Sequence, residues 1–290
     1  MILLKVGIVK GFVIMVTIIL VSLIIGFLSA FVGSLVGLGG GIIFVPAMLF
    51  LYDNFSLFSW ANPQAIVGIS LVTMIFTGLS STITYYRQRW VDLRMGTIFL
   101  VASIPGSIIG SWLNGRIDTD DFSLYFGILM VIVFVAMLID REKLLKNKRL
   151  EITENTRTYR VHGVTHQYNI TFPTAFILAF FVGFLSGLFG IGGGTISVPA
   201  MILFFGTPIQ IAVATSMFII FFISIMSAAT HVIMGHIVWK YVIFFVIGSY
   251  IGGSVGARAS NLFKGRTLEW LLRIIIVIVA VRLVLESTIW

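Results

Sequence analysis

The chain predicts an all-α, multi-pass membrane protein of two homologous halves, with about eight transmembrane helices and two short Gly-broken half-helices. Three observations lead there. Of the 290 residues, 59% are hydrophobic and 10% charged, with a mean hydropathy of +1.09, whereas a soluble domain carries about 25% charged residues. Apolar runs of roughly 20 residues, the length that spans a bilayer, recur along the chain. One glycine-rich stretch also occurs twice. Gly37-Leu38-Gly39-Gly40-Gly41-Ile42-Ile43-Phe44-Val45-Pro46-Ala47-Met48 returns as Gly190-Ile191-Gly192-Gly193-Gly194-Thr195-Ile196-Ser197-Val198-Pro199-Ala200-Met201.

The first run, Phe12–Val36, follows Lys5 and Lys10. It is longer than a signal-peptide core and lacks an Ala-x-Ala-like cleavage site, so it reads as a retained first helix. Ala65–Tyr86, Met95–Leu113 and Phe122–Ile139 complete a first membrane repeat over residues 1–139. Residues 140–171 are rich in both charges, lack an apolar period, and read as a solvated cytoplasmic linker loop. The second repeat, residues 172–290, offers Phe172–Phe189, Ile209–Met234, Tyr241–Leu262 and Leu268–Leu285. Ile42–Tyr52 and Thr195–Phe205 directly follow the triple glycines. At about 1.5 Å per residue they are too short for a hydrocarbon core of about 30 Å. They read as half-helices whose ends are covered by protein or line a cavity, with Pro46 and Pro199 expected to stop or kink them.

Beyond the glycines the register holds after about seven extra residues in the first connecting loop. Gln64 then matches Gln210, Ser70 matches Ser216, Ser81 matches Ser227, and Gly106 and Gly110 match Gly252 and Gly256. Basic residues in short loops mark the cytoplasmic side. Lys5 and Lys10, then Arg87, Arg89 and Arg94, then the linker place both termini and the linker in the cytoplasm, with four spans per half. Arg258, Lys264 and Arg266 fall on the outer side and break that pattern. The alternative counts each short segment as a full crossing, giving five per half and inverted repeats.

Composition also excludes function classes. Without cysteine there is no disulfide, thiolate chemistry or Cys-based metal site. The net charge of +8 sits in loops beside apolar spans, so it sets topology and does not point to nucleic acid. All eleven acidic residues lie in loops or near span ends, which leaves no mid-membrane carboxylate as proton relay or cation ligand. His231 and His236 have no carboxylate nearby and make a poor metal site. No nucleophile–base–orienter set appears, and Gly37–Gly41 lacks the strand and lysine of a phosphate loop. Neither an enzyme nor a cofactor is expected.

What remains is binding chemistry. A glycine break at matching places in two hydrophobic halves points to a transporter's central site. Gly37, Gly39, Gly40 and Gly41, with Gly190, Gly192, Gly193 and Gly194, would offer bare N–H groups at a helix start, where the dipole also favours an anion. Close helix packing is the competing explanation, and it is the preferred one for Gly106/Gly110 and Gly252/Gly256. Gln64, Ser70, Gln210, Thr215 and Ser216 are neutral donors that could replace an anion's hydration; capping and interhelical bonding explain them equally well. Arg258 is the best cationic candidate.

A Gly-x-Gly-Gly-Gly run leading to Val-Pro, present twice in a chain of this size, resembles the sulfite exporter TauE/SafE family of membrane anion transporters. Ala212-Val213-Ala214-Thr215-Ser216 and Gly252-Gly253-Ser254-Val255-Gly256-Ala257-Arg258 resemble that family's Thr-Ser and Gly-x-x-x-Gly-x-Arg segments. The first half departs, with Ile69-Ser70 and Trp112 at the corresponding places. The resemblance implies outward secondary transport of sulfite, an organosulfonate or a related anion. The expected partners are that anion and the lipid bilayer, with a homodimer left open. A passive anion channel and a non-transporting receptor or assembly component are the alternatives.

Overall fold

The computed structural model describes residues 2–117, 119–138, 156–161 and 163–263, with positions 267, 270, 274 and 277 beyond them. The span expected at Leu268–Leu285 and most of the linker lie outside the described residues. Helices α1 (Ile2–Val36), α2 (Gly41–Asn54), α3 (Pro63–Arg87), α4 (Leu93–Asn114) and α5 (Thr119–Leu138) precede a two-stranded hairpin, β1 (Thr156–Val161) and β2 (Val164–Asn169). After it come α6 (Phe172–Phe189), α7 (Gly194–Phe205), α8 (Ile209–Ile233) and α9 (Trp239–Ala259). Among the described residues six helices are long and apolar enough to cross a membrane: α1 from Phe12, α3, α4, α6, α8 and α9. The short helices α2 and α7 begin where the triple glycines predicted, and both run through their prolines without ending there.

Helix pairing follows the small residues. A Cβ on Gly106 or Gly110 of α4 would collide with the Phe180 or Phe184 carbonyl of α6. One on Gly248, Gly252 or Gly256 of α9 would collide with the Leu23, Phe27 or Phe31 carbonyl of α1. Glycine lets these backbones touch, and residue numbers rise together in both pairs, so each pair is parallel. In contrast, α3 and α8 are antiparallel, since Gly68 faces His231 and Gly78 faces Phe221.

These directions fix which end of the bundle each element reaches. Thr215, near the start of α8, meets Asp92 in the α3–α4 turn, and the hairpin packs on that turn. This is the hairpin end. The opposite end holds the end of α8, the start of α9 and therefore the start of α1. After the first glycines α2 folds back along α1: the Phe44 ring lies 5.1 Å from Phe245, itself beside Gly26. Trp60, after α2, stacks on Tyr241 near the start of α9 at 4.3 Å. The return of α2 cancels the crossing of α1. The hairpin consequently lies opposite the N-terminal helix start, which corrects the expectation that both face one side. It also brings Arg258, in the last turn of α9, to the same end as Arg87 and Arg89.

The linker differs from expectation as well, since it is folded in part. β1 and β2 pair antiparallel, with Val161 opposite Val164 across the turn that contains Gly163. Val161 and Tyr168 are buried against the bundle.

Candidate functional site

The glycine stretches form two turns with one backbone design. Gly37, Gly39 and Gly40 have φ of +80°, +83° and +96°; Gly190, Gly192 and Gly193 have +67°, +75° and +68°. Side chains rarely adopt such values, which explains glycine at these six positions, while Gly41 and Gly194 answer a close backbone approach instead. Gly40 and Gly193 then stand before α2 and α7, and no side chain caps either helix. Each helix therefore begins with bare N–H groups and the positive end of its dipole inside the protein.

The two turns lie against each other. A Cβ on Gly41 would strike the Gly190 carbonyl, and one on Gly194 would strike the Gly37 carbonyl. Met74 of α3 and Ile220 of α8 pack beside both turns. Each turn is also held from the opposite half: Ser70 Oγ donates to the Gly190 carbonyl and Ser216 Oγ to the Gly37 carbonyl, both at 2.7 Å. All four residues in these bonds are buried.

Other polar groups are less evenly shared. Thr195 Oγ1 and Ser197 Oγ, in the first turn of α7, and Ser186 Oγ, near the end of α6, are buried with no hydrogen-bond partner. The residues that the expected repeat matches to these are Ile42, Phe44 and Gly33. A buried hydroxyl without a partner costs about 1–3 kcal/mol, so three beside an uncapped helix start suit a polar ligand. Sequence reading missed this group. Thr195 directly after the triple glycine, where the other copy has Ile42, was the available signal.

The remaining candidates lie away from the turns. Gln64 donates to the Ile117 carbonyl at 3.0 Å, at the end opposite the hairpin. There it lines a cavity of about 340 Å³ with Asn62, Gly115 and His236. Beside that cavity, Nδ1 of His231 and Nδ1 of His236 lie 3.1 Å apart. Gln210 is half-buried at the start of α8. Thr215 accepts the Asp92 backbone N–H at 3.0 Å, so its hydroxyl ties α8 to the α3–α4 turn. Arg258 is exposed at the hairpin end, while the turns are buried.

The hairpin end holds an ion pair that sequence reading did not single out. Asp92 is fully buried and N-caps α4, accepting from the N–H groups of Arg94 and Met95. Arg157 of β1 donates to both its carboxylate oxygens at 3.0 Å, a fork-like pairing, and the Tyr168 hydroxyl of β2 donates to one of them. Burial alone would raise the carboxyl's pKa. The bonds from Arg157, Tyr168 and the Met95 N–H outweigh it and hold Asp92 below the usual carboxylate range.

Comparison with known proteins then bears on this arrangement. The family model described as "Sulfite exporter TauE/SafE" matches residues 22–283. The chain belongs to the sulfite exporter TauE/SafE family. A probable membrane transporter protein, YunE, of Bacillus subtilis is 39% identical over 268 residues, covering 92% of this chain and 97% of that protein. A probable membrane transporter protein of Xylella fastidiosa is 25% identical over 266 residues, 90% of this chain and 93% of its own. No solved structure matches the chain. As a TauE/SafE member with six helices among the described residues able to span a bilayer, the protein is a multi-pass membrane transporter.

Proposed function

We propose that this transporter carries a small sulfur-containing anion, sulfite or an organosulfonate, outward across the cell membrane. It does so by alternating access, its two halves being inverted repeats that move against each other around the paired glycine turns. The second turn is the observation that carries this reading. There a helix start without a cap meets three buried hydroxyls without partners. The oxygens of a sulfite or sulfonate head accept from helix N–H groups and hydroxyls alike. Such neutral donors replace hydration without the grip of a full opposite charge, which lets the anion leave again. The family's description supplies both sulfite and the outward direction.

Inverted repeats are supported by the antiparallel α3 and α8, by the reciprocal bonds of Ser70 and Ser216, and by the parallel pairs α1–α9 and α4–α6. With the hairpin end in the cytoplasm, Arg87, Arg89, Arg157, Arg160 and Arg258 all lie inside, as the charge rule asks. The N-terminus then faces outward, in place of the cytoplasmic position expected from sequence. Met74 and Ile220 packed against the turns suit a carrier closed between its open states better than a standing pore.

Uptake of labelled sulfite into proteoliposomes tests the proposal, with unlabelled sulfite, sulfate, a sulfonate, thiosulfate and an amino acid as competitors. Saturable uptake blocked by a sulfur anion but not by the amino acid is the expected result. Absence of uptake under every imposed ion gradient overturns it.

A further inference from the structure

Outside the central turns, the feature with most unanswered charge is a groove between the hairpin and the α3–α4 turn. It has a volume of about 510 Å³, and Arg87, Arg89, Arg94, Arg157 and Arg160 line it. Asp92 answers Arg157. The other four are exposed, and none makes an ion pair among the described residues. Their convergence is built. Arg89 takes a φ of +60°, unusual for a residue with a side chain. Tyr159 of β1 fastens that turn by donating to the carbonyls of Arg89 and Val91 at 3.1 and 2.8 Å. The Asp92–Arg157 pair holds the hairpin, and with it Arg160, over the same turn.

We infer that this groove is a binding site for a phosphate-bearing anion at the membrane boundary. Guanidinium forks match phosphate oxygens in pairs, and basic pockets beside transmembrane helices receive lipid headgroups. The rim matches such a lipid. Tyr86 and Leu93, where α3 ends and α4 begins, are 59% and 43% exposed and offer an apolar flank to an acyl chain. The site lies apart from the glycine turns, so it stands or falls independently of the transported anion.

The test uses the full chain purified in detergent, offered phosphatidylglycerol and phosphatidylcholine in equal amounts and examined by native mass spectrometry. Melting is followed in parallel with glycerol phosphate and inorganic phosphate. Selective retention of phosphatidylglycerol identifies a lipid headgroup; protection by the soluble phosphates without lipid retention identifies a free phosphate compound in the same groove. The triple variant Arg87→Gln, Arg89→Gln, Arg160→Gln should lose on the order of 100-fold in affinity, about fivefold per arginine. The corresponding triple Lys variant should keep part of it. A cooperative melt without ligand at the wild-type temperature shows that the Gln variant is folded. Neither retention nor protection, or equal binding by the wild type and a folded Gln variant, overturns the inference.

Discussion

The two glycine turns share a backbone and differ in their lining. Both place positive φ at the first three of their four glycines, both start a helix without a cap, and both give a carbonyl to a serine of the other half. The second turn is followed by Thr195 and Ser197, whose buried hydroxyls have no partner; the first is followed by Ile42 and Phe44, both buried. Duplicated geometry with an unduplicated lining suggests a division of labour. Under the proposed function, the pair would provide a joint at which the halves meet, and the second turn would supply most of the ligand's hydrogen bonds.

The harshest way to break the comparison acts on what the turns share. Gly40→Val and Gly193→Val force a β-branched residue into φ of +96° and +68°. The new Cβ atoms would lie 2.8 Å from the Ser29 carbonyl oxygen and 2.8 Å from Val182 Cγ1. Backbone strain of this kind costs about 1–3 kcal/mol at each site. The double variant should reach the membrane yet lose sulfite uptake altogether; normal flux in well-expressed protein would remove the turns from the mechanism. A finer cut acts on what differs. Thr195→Val deletes a hydroxyl donor to a charged ligand, an interaction worth about 1.5–3 kcal/mol, so KM should rise roughly 10- to 100-fold. Ile42→Val, its counterpart, should change KM less than about twofold, because it removes one methylene and no donor. Equal effects at the two positions would erase the proposed division.

Smaller again is the effect expected at the serine clamps. Ser70→Ala and Ser216→Ala each leave one glycine carbonyl short of a donor, at about 1 kcal/mol apiece. In thermal melts the two variants should lose stability by similar amounts. A large excess for one would show that the reciprocal bonds are unequal, and that the halves do not share the joint evenly.

The parts legible in the sequence are those in which a residue type answers a backbone demand. Three glycines at one spacing required positive φ twice, and the Gly-x-x-x-Gly pairs Gly106/Gly110 and Gly252/Gly256 required touching helices; the packing is as read. Topology was harder to read. Charge counting assigned α1 a crossing and α2 a dip, while the return of α2 along α1 depends on contacts such as Phe44 with Phe245, 201 positions apart, which no local pattern encodes. The hairpin had a signal that was passed over: Thr, Tyr and Val on both sides of Gly163, in a stretch of strand-forming residues. Asp92 looked like one more loop acid because its partners Arg157 and Tyr168 arrive with that hairpin. Gln64 and Thr215 are candidates for the anion site by residue type, but the hydrogen bonds they make lie at the two ends of the bundle.

The same contrast extends to those ends and can be sharpened with acid. The first turn lies toward the hairpin end, beside Val213 and Ser216, and the second lies toward the opposite end, beside Val67 and Ser70. The hairpin end is tied by Asp92, whose folded pKa is depressed. A depressed carboxyl contributes stability that is fully present above its ordinary value of about 4 and fades only as pH falls below it. At the opposite end His236 sits 3.1 Å from His231, and burial lowers its pKa. Its neutral form is the one that packs, so that contribution is complete above the ordinary histidine value of about 6.5 and declines as pH falls further. Between about pH 6.5 and 5, therefore, the loop carrying His236 should loosen while the hairpin stays docked. Limited proteolysis across that range should open the segment around Gly235 first and leave the hairpin intact. Early cleavage at the hairpin would show that Arg157 and Tyr168 do not hold Asp92 ionised, and an unchanged His236 loop would show that the histidine pair does not close its end.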